Sequence, residues 1–504
     1  MALSGTGTSG EFGRPRKVLL VVADQLRADA LGAYGAPTAR TPHLDALAAR
    51  GTLFEEHYSA TAPCGPARTS LLTGLYQASH GIRSNTTPAD TSRPNLATAL
   101  RGAGVPSHVV GYTDSVAEPY VGGVEGLLPG FRWHTHFNLN DHGLRGWLEV
   151  LRARGHPVPE RPTDVFAPAP GTAHRARYSA ADSDTAYVAD RTIDCLTEHR
   201  DEPWLILATF LRPHPPWVAP APYDTLHAPS ETAPPRRGPT REAHGAVHPF
   251  LDQWARRPGL DTAPEALTDE AVARARAVYA GLVTEVDHHV GRILAALDAT
   301  GQAEDTLVVF TADHGDALGD HWTLGTGGFA ATAYRVPLIV AELSRASGDT
   351  GRRAGAPRPA GPRRVGRFTE SVDVLPTVLD RLGVPPLPHV DGRSLSPLLD
   401  GAPDPRPRNH AVCEYDFHAA LSDAQRDAMG LAADACRLTV VRDAALTYVE
   451  FPTLPPLLFD RVTDPGELHD LAPDPARRPL LDAFAARVRA HHRRAARRAA
   501  ERTV

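Results

Sequence analysis

Two apolar runs in this sequence are each followed at once by acidic residues. Asp24 follows KVLLVVA at 17–23, and Asp313 and His314 follow TLVVFTA at 306–312. Runs of this kind are typical of strands buried on both faces of a parallel sheet. Ligands bind at the carboxyl ends of such strands, so acids delivered there by two strands predict a shared metal site. A helix-capping role for Asp24 and a merely polar loop after residue 312 are the alternatives.

Cys64 lies in the stretch SATAPCGPARTSLLTG, residues 59–74. Pro66 is suited to the first position of a short helix that ends before Gly74. Cys64 would then lie at the positive end of this helix, with Arg68 one turn further along, and both would favour an anion beside Cys64. The alternative is a buried structural cysteine, but an inert thiol is not expected at an electropositive helix start.

The composition excludes several classes of protein. The chain has 504 residues and a net charge of −6, so it lacks the overall basic charge of a nucleic-acid-binding protein. Its four cysteines form no C-x-x-C pair and are too few for a disulfide framework. No run approaches 18 apolar residues, which predicts a soluble, cytoplasmic protein with no membrane contact. Lys17 is the only lysine, so any chemistry that needs a lysine must be done by other groups.

Strand and helix patterns alternate along most of the chain, which predicts an α/β fold with a large, mostly parallel sheet flanked by helices. Segments 41–51 and 268–301 have helix signatures, with Thr41 as an N-cap. A Pro-rich surface excursion is expected at 221–266 and a linker at 345–366. The other predicted strands are 107–112, 204–210 and 336–341. The predicted units are a disordered segment 1–14, a catalytic domain 15–402, a small antiparallel-sheet subdomain 403–475 and an Arg-rich helical tail 476–504.

The stretch CGPARTSLLTG resembles the C-x-P-x-R signature of type I sulfatases in the alkaline-phosphatase-like superfamily. The segments RPHPPWVAPAPYD and FTADHGDALGDH are also similar to family segments, in family order. Many sulfatases have paired aspartates first and Asp-Asn later, a set suited to Ca²⁺. The pairs Asp24-Gln25 and Asp313-His314 carry less charge and add an imidazole, which favours Mn²⁺ over Ca²⁺. This combination resembles the phosphonate monoester hydrolase and phosphodiesterase branch, whose members also cleave sulfate esters.

The resemblance implies a mechanism and a set of site residues. A maturation enzyme would oxidise Cys64 to Cα-formylglycine, which is hydrated to a geminal diol. One hydroxyl attacks the sulfur or phosphorus of a small anionic ester, and the second hydroxyl later expels the anion. Arg68 would stabilise developing charge, and His214 would protonate the leaving oxygen. The implied metal ligands are Asp24, residue 64, Asp313 and His314, and the implied substrate contacts are Asn85, Tyr112 and Thr113, with Asp114 making the last alignment ambiguous by one position.

One departure from the family pattern concerns positive charge. Family members usually have a lysine after GDHxxLG, and this sequence reads GDHWTLGTGG, with Thr326 at that substrate-binding position.

Taken together, the motifs predict a metal-dependent hydrolase of sulfate esters, phosphate diesters or phosphonate monoesters. A catalytically degenerate relative that binds an anionic ligand is the alternative. The C-terminal helix is predicted either to be exposed to solvent or to pack against another copy of the chain in a homo-oligomer. Binding to an anionic surface is the other interpretation.

Overall fold

The computed structural model describes residues 14–114, 129–257, 267–343 and 363–501. Its main sheet has eight strands in the order β5-β4-β6-β1-β7-β8-β2-β9, and its smaller sheet has five, in the order β13-β12-β11-β10-β3. The strands are β1 Lys17–Ala23, β2 Thr52–Tyr58, β3 Thr61–Ala62, β4 Ser107–Gly111, β5 Phe131–His136, β6 Trp204–Phe210, β7 Thr306–Ala312, β8 Leu338–Glu342, β9 Arg363–Glu370, β10 His410–Asp416, β11 Arg437–Asp443, β12 Leu446–Glu450 and β13 Leu457–Asp460.

The described residues form fourteen α-helices, several of which cover the two faces of the main sheet. They are α1 Pro42–Arg50, α2 Cys64–Thr73, α3 Gln77–His80, α4 Leu96–Gly102, α5 Asp141–Ala153, α6 Asp184–Glu198, α7 Arg241–Gly245, α8 Pro249–Ala255, α9 Asp269–Ala299, α10 Ala331–Tyr334, α11 Val374–Leu382, α12 Ser396–Asp400, α13 Asp423–Ala428 and α14 Arg478–Glu501.

Strand β1 lies at the centre of the main sheet and explains why its sequence is apolar without interruption. It pairs in parallel with β6 on one side and β7 on the other. Leu19 and Val21 enter the core on one face, and Val18 and Leu20 enter the core on the opposite face. Strand β8 is antiparallel to its neighbours. The predicted class, a large mostly parallel sheet flanked by helices, is confirmed.

The smaller sheet is built mainly from the C-terminal part of the chain. Strands β10 to β13 form antiparallel neighbours, whereas β3, from just before Cys64, adds in parallel to β10. Helix α14 packs Phe484 and Val488 against residues of this sheet such as Val441 and Tyr448. The predicted antiparallel sheet and terminal helix are both present. The exact domain limits and the oligomeric role of the helix stay predictions.

Several element limits differ from the sequence prediction. The strand predicted at 336–341 begins at Leu338, because Pro337 has no N–H to give to the ladder. The predicted strand 107–112 ends at Gly111. Helix α9 lies within the predicted span, between its N-cap Thr268 and the left-handed Gly301.

The two Pro-rich segments also differ in part from the prediction. The excursion contains α7 and α8, and Phe250 and Trp254 are buried there. Residues 363–366 of the predicted linker belong to β9. Residues 1–13, 258–266 and 344–362 lie outside the described part of the chain. Within that part, we find no helix long and apolar enough to traverse a bilayer.

Candidate active site

Four potential metal ligands converge at the carboxyl ends of β1 and β7. Asp24, Cys64, Asp313 and His314 are all buried, and one donor atom from each lies within 4.8 Å of the others. His314 Nε2 is 3.1 Å from Cys64 Sγ and 3.9 Å from Asp24 Oδ1. The strands place the acids because β1 and β7 run side by side in register, so that Ala23 and Ala312 are partners. Two carboxylates, an imidazole and the residue at position 64 therefore surround one small volume.

Arg68 balances part of the negative charge of this cluster. Its Nε is 2.9 Å from Asp313 Oδ2 and one terminal nitrogen is 3.2 Å from Asp24 Oδ2. Its other terminal nitrogen donates to the carbonyl of Tyr112 at 2.7 Å, and the guanidinium lies 4.4 Å from the centre of the Tyr112 ring. The planar guanidinium thus contacts both acids at fixed positions, which a lysine could not do.

The pKa values of the two acids are shifted in opposite directions. Burial, reinforced by Asp313, raises the pKa of Asp24 well above its ordinary value, and Arg68 opposes this only in part. Burial also raises the pKa of Asp313, but His314, Arg68 and the backbone N–H groups of Gln25 and His314 outweigh burial and lower it overall. Two buried carboxyl groups this close together, with one pKa raised by burial and by the other acid, suit a divalent cation.

Cys64 occupies the start of α2, although not as predicted. The helix begins at Cys64 itself, with Pro63 as the N-cap residue, so Pro66 is its third residue and not its first. Burial, together with Asp24, Asp114 and Asp313, raises the pKa of the Cys64 thiol well above its ordinary value, against the opposing effect of Arg68. The electropositive setting inferred from the helix start and Arg68 is therefore outweighed by the carboxyl groups, and the unmodified thiol is a poor nucleophile here.

Asn85 and Asp114 form one wall beside Cys64. The Asn85 side-chain oxygen accepts from the backbone N–H of Gly65 at 3.0 Å, and its amide nitrogen donates to Asp114 Oδ2. Thr113 is buried next to them. Asp114 has a positive φ of 47°, which is uncommon outside glycine, although Asn and Asp tolerate it best. The residue that made the alignment ambiguous thus lies directly against a predicted substrate contact.

His214 is held in place by its own loop. Its Nδ1 contacts the Pro215 carbonyl at 2.5 Å. Arg212 donates to the carbonyls of His214 at 3.2 Å and Pro216 at 2.6 Å, and it pairs with Asp184 at 3.0 Å. Burial lowers the pKa of His214, while Asp114 and Asp313 act in the opposite direction. The same two acids also raise the pKa of the Cys64 thiol.

An arginine that the sequence did not point to lies beside Thr326. The Thr326 hydroxyl is buried and has no hydrogen-bond partner among the described residues. Arg257 donates to the carbonyls of Leu324 at 2.7 Å and Thr326 at 2.9 Å, with its guanidinium 3.8 Å from the Trp254 ring centre. Arg257 comes from the Pro-rich excursion, where its spacing gives no signal.

The sequence analysis gave Gln25 and Asp316 no individual role in the site. Gln25 donates its backbone N–H to Asp313 at 3.1 Å, and its side-chain amide donates to Asp316. Gln25 has a φ of 65°, a strained conformation for glutamine that recurs at functional sites. The signal available was position alone, since Gln25 directly follows Asp24 and Asp316 lies two residues after His314.

Comparisons of the sequence and of the fold with known proteins identify the family to which this chain belongs. The fold and the buried ligand cluster are those expected of a hydrolase of the alkaline-phosphatase-like type. The Sulfatase family profile matches residues 16–384, and the chain belongs to this family. It is a hydrolase of the sulfatase family.

Among its relatives is a multifunctional alkaline phosphatase superfamily protein, PehA of Trinickia caryophylli, with 36% identity over 93% of this chain and 94% of that protein. The phosphonate monoester hydrolase of Agrobacterium radiobacter superposes with a TM-score of 0.86 at 38% identity, covering 95% of this chain and 96% of that one. The phosphonate monoester hydrolase SpPMH of Silicibacter pomeroyi gives a TM-score of 0.85 at 36% identity and 95% coverage of both chains.

Proposed function

We propose that this protein hydrolyses monoanionic esters of phosphorus and sulfur, namely phosphonate monoesters, phosphate diesters and sulfate esters. The observation that carries the proposal is the buried cluster of Asp24, Cys64, Asp313 and His314, whose donor atoms lie within 4.8 Å of one another. The similarity to two phosphonate monoester hydrolases supports the phosphorus esters. Membership of the sulfatase family supports the sulfate esters.

The cluster fits one divalent cation. Two carboxyl groups and an imidazole form a mixed oxygen and nitrogen donor set, for which Mn²⁺ is better suited than Ca²⁺. With Asp114 included, three carboxyl groups face one guanidinium, that of Arg68, and a divalent ion would balance the difference. When bound, such an ion supplies Lewis-acid polarisation of the ester oxygens and lowers the pKa of a coordinated hydroxyl.

The charge balance also favours the substrate class. Three carboxyl groups, Arg68 and a divalent ion sum to about zero, so one negative charge on the substrate is accommodated more readily than two. Thr326 supplies no charge at the usual lysine position, and Arg257 is engaged with backbone carbonyls. Phosphonate monoesters, phosphate diesters and sulfate esters each carry one negative charge, whereas a phosphate monoester carries two near neutral pH.

We also propose that Cys64 acts after conversion to formylglycine by a maturation enzyme. Without a bound ion, burial and the surrounding carboxyl groups raise the pKa of the Cys64 thiol, which disfavours the thiolate as the nucleophile. Arg68 would hold the transferred group, which develops charge in the transition state. With Nδ1 of His214 donating to the Pro215 carbonyl, its Nε2 is left to carry a proton to the leaving oxygen.

Mass spectrometry and a substrate panel test both parts. The protein is expressed together with a formylglycine-generating enzyme, and the peptide containing Cys64 is weighed. We expect conversion of the thiol to an aldehyde, and faster hydrolysis of a phenylphosphonate monoester, a phosphate diester and an aryl sulfate than of the corresponding aryl phosphate monoester. Cys64→Ser should abolish multiple turnover, whereas Cys436→Ser, which alters a buried cysteine outside the cluster, should not.

Three results would contradict parts of the proposal. Full turnover by Cys64→Ser would show that formylglycine is not required at position 64. A modified but inactive protein would instead identify the chain as a degenerate family member that binds anions without hydrolysing them. A preference for the dianionic monoester would overturn the assignment of substrate class alone.

A further inference from the structure

A second group of potential metal ligands lies well away from Cys64. One donor atom each from His108, Cys195 and His199 lies within 4.8 Å of the other two, and His134, Glu198 and His199 form an overlapping group. His108 is near the start of β4, whereas Tyr112, which contacts Arg68, follows the end of that strand. At ~3.3 Å per residue, the two sites are separated by on the order of 13 Å along β4.

Helix geometry places three of these residues together. Cys195, Glu198 and His199 are spaced i, i+3 and i+4 at the C-terminal end of α6, with His199 as the C-cap residue. Residues at this spacing lie on the same face of a helix. Cys195 and the adjacent Leu196 pack into the core on one side of the main sheet. The C-terminal turn of α6 therefore presents a thiol, a carboxylate and an imidazole to the sheet edge.

The edge strand β5 and its neighbour β4 supply the two remaining histidines. Val110 packs into the same core cluster as Cys195, and Val109 packs on the opposite side of the sheet. Because side chains alternate along a strand, His108 points to the side of Cys195. His134 lies at a register shift in β5, between Trp133 and Thr135, which pair with Val109 and Val110. Bulges of this kind redirect a side chain out of the regular alternation.

The ring of His108 has a buried nitrogen that is available to a metal ion. His108 is 8% exposed, and its Nε2 is buried without a hydrogen-bond partner among the described residues. The His108 and His199 rings lie 4.1 Å apart. Glu202 contacts Nδ1 of His199 at 2.6 Å, and a carboxylate on one ring nitrogen is the usual way of orienting a metal-bound histidine.

We propose that His108, Cys195 and His199 bind a Zn²⁺ ion, with His134 or Glu198 as the fourth ligand. Thiolate and imidazole are the ligands that tetrahedral zinc takes in structural sites. The ion gives the buried Nε2 of His108 the partner that it otherwise lacks, which relieves an unfavourable buried polar atom. It joins the end of α6 to the edge of the main sheet, so its role is structural and independent of the ester hydrolysis proposed above.

The test uses cobalt as a spectroscopic probe for zinc. In a Cys64→Ala background, which removes the thiol from the other cluster, Co²⁺ is added to the metal-stripped protein. We expect the near-ultraviolet absorption of a cobalt–thiolate bond, its loss when Zn²⁺ is added, and its absence after the further change Cys195→Ser. Cys436→Ser in the same background is the control and should retain the band. A band that is absent from the background protein, or that survives Cys195→Ser, would overturn the proposal.

A second variant covers the case in which Cys195→Ser does not fold. His199 is partly exposed, so His199→Gln removes a ligand at the surface end of the cluster. In the same background, zinc should raise the melting temperature of the protein with His199 intact, and His199→Gln should weaken zinc binding about 100-fold or more. Equal zinc affinity and equal melting shifts in the two proteins would refute the site.

Discussion

Replacing Glu285 with glutamine should make the stability of this protein less dependent on pH. Glu285 lies on α9 and is fully buried. Burial raises its pKa from 4.5 to about 8, Asp184 adds to the shift, and Ser183 and Arg212 oppose it. Arg212 also holds the loop that carries His214, so the charge of Glu285 bears on the proposed active site as well as on stability.

The sign and size of the effect follow from proton linkage. Because the pKa is higher in the folded than in the unfolded protein, the folded state is favoured below the unfolded value of 4.5, and this advantage is lost as the pH rises through about 8. At about 1.36 kcal/mol per pKa unit, the loss amounts to about 5 kcal/mol at most. Glutamine is close to the shape of the protonated acid and cannot ionise, so Glu285→Gln should escape this loss.

The assay is chemical denaturation of both proteins across the pH range. Near pH ~5 the free energies of unfolding should be similar, and near pH ~9 the variant should be more stable by several kcal/mol. Glu270→Gln is the matched control, because Glu270 is on the same helix but 83% exposed, and its effect should be small throughout. A difference between wild type and Glu285→Gln that does not change with pH would refute the reasoning.

Three other substitutions test separate parts of the structure. Arg68→Lys should lower kcat/KM by on the order of 10²–10³ even at saturating metal, because an ammonium cannot contact both acids and the Tyr112 carbonyl at once; unchanged kcat/KM would exclude the role given to the guanidinium. Thr326→Lys should raise the hydrolysis of simple aryl esters on the order of 10-fold or more, with Thr326→Met as the uncharged control, and equal rates for both would show that no charge is missing there. His491 pairs with the buried Glu414 at 3.2 Å; burial lowers its pKa, but Glu414 outweighs this and raises it overall. Its stabilising effect is therefore fully present below ~6.5 and lost at higher pH, so His491→Gln should lower the melting temperature more near pH ~6 than near pH ~9, and the reverse order would contradict this.

The sequence predicts the centre of the fold and the composition of the main cluster well, because both depend on local patterns. The continuous apolar runs of β1 and β7 can be explained only by burial on both faces, and the acids that follow them meet because parallel strands end at one edge. The electrostatics of Cys64 could not be predicted in this way. Its helix start and Arg68 are visible in the sequence, but the three carboxyl groups around its thiol come from distant segments.

Long-range contacts account for what the sequence did not reveal. Arg257 reaches the Thr326 carbonyl across 69 positions of the chain, and no spacing rule connects them. The cluster of His108, Cys195 and His199 combines residues from a strand and from the end of a helix. A search for C-x-x-C spacing therefore does not find it. The start of β9 inside a segment read as a linker likewise depends on its pairing with β2, a partner that precedes it by more than 300 residues.

The pairing of β3 with β10 has a consequence for the order of events during synthesis. Cys64 is 4% exposed and follows β3 by two residues, and β3 is fixed in the smaller sheet only when β10 is present. Strand β10 begins about 350 residues after Cys64, which at ~5–20 residues per second leaves on the order of 20–70 s between the emergence of the two segments. If Cys64 is oxidised as proposed, the maturation enzyme can act on an open chain during this interval. The interval ends when β10 emerges and pairs with β3.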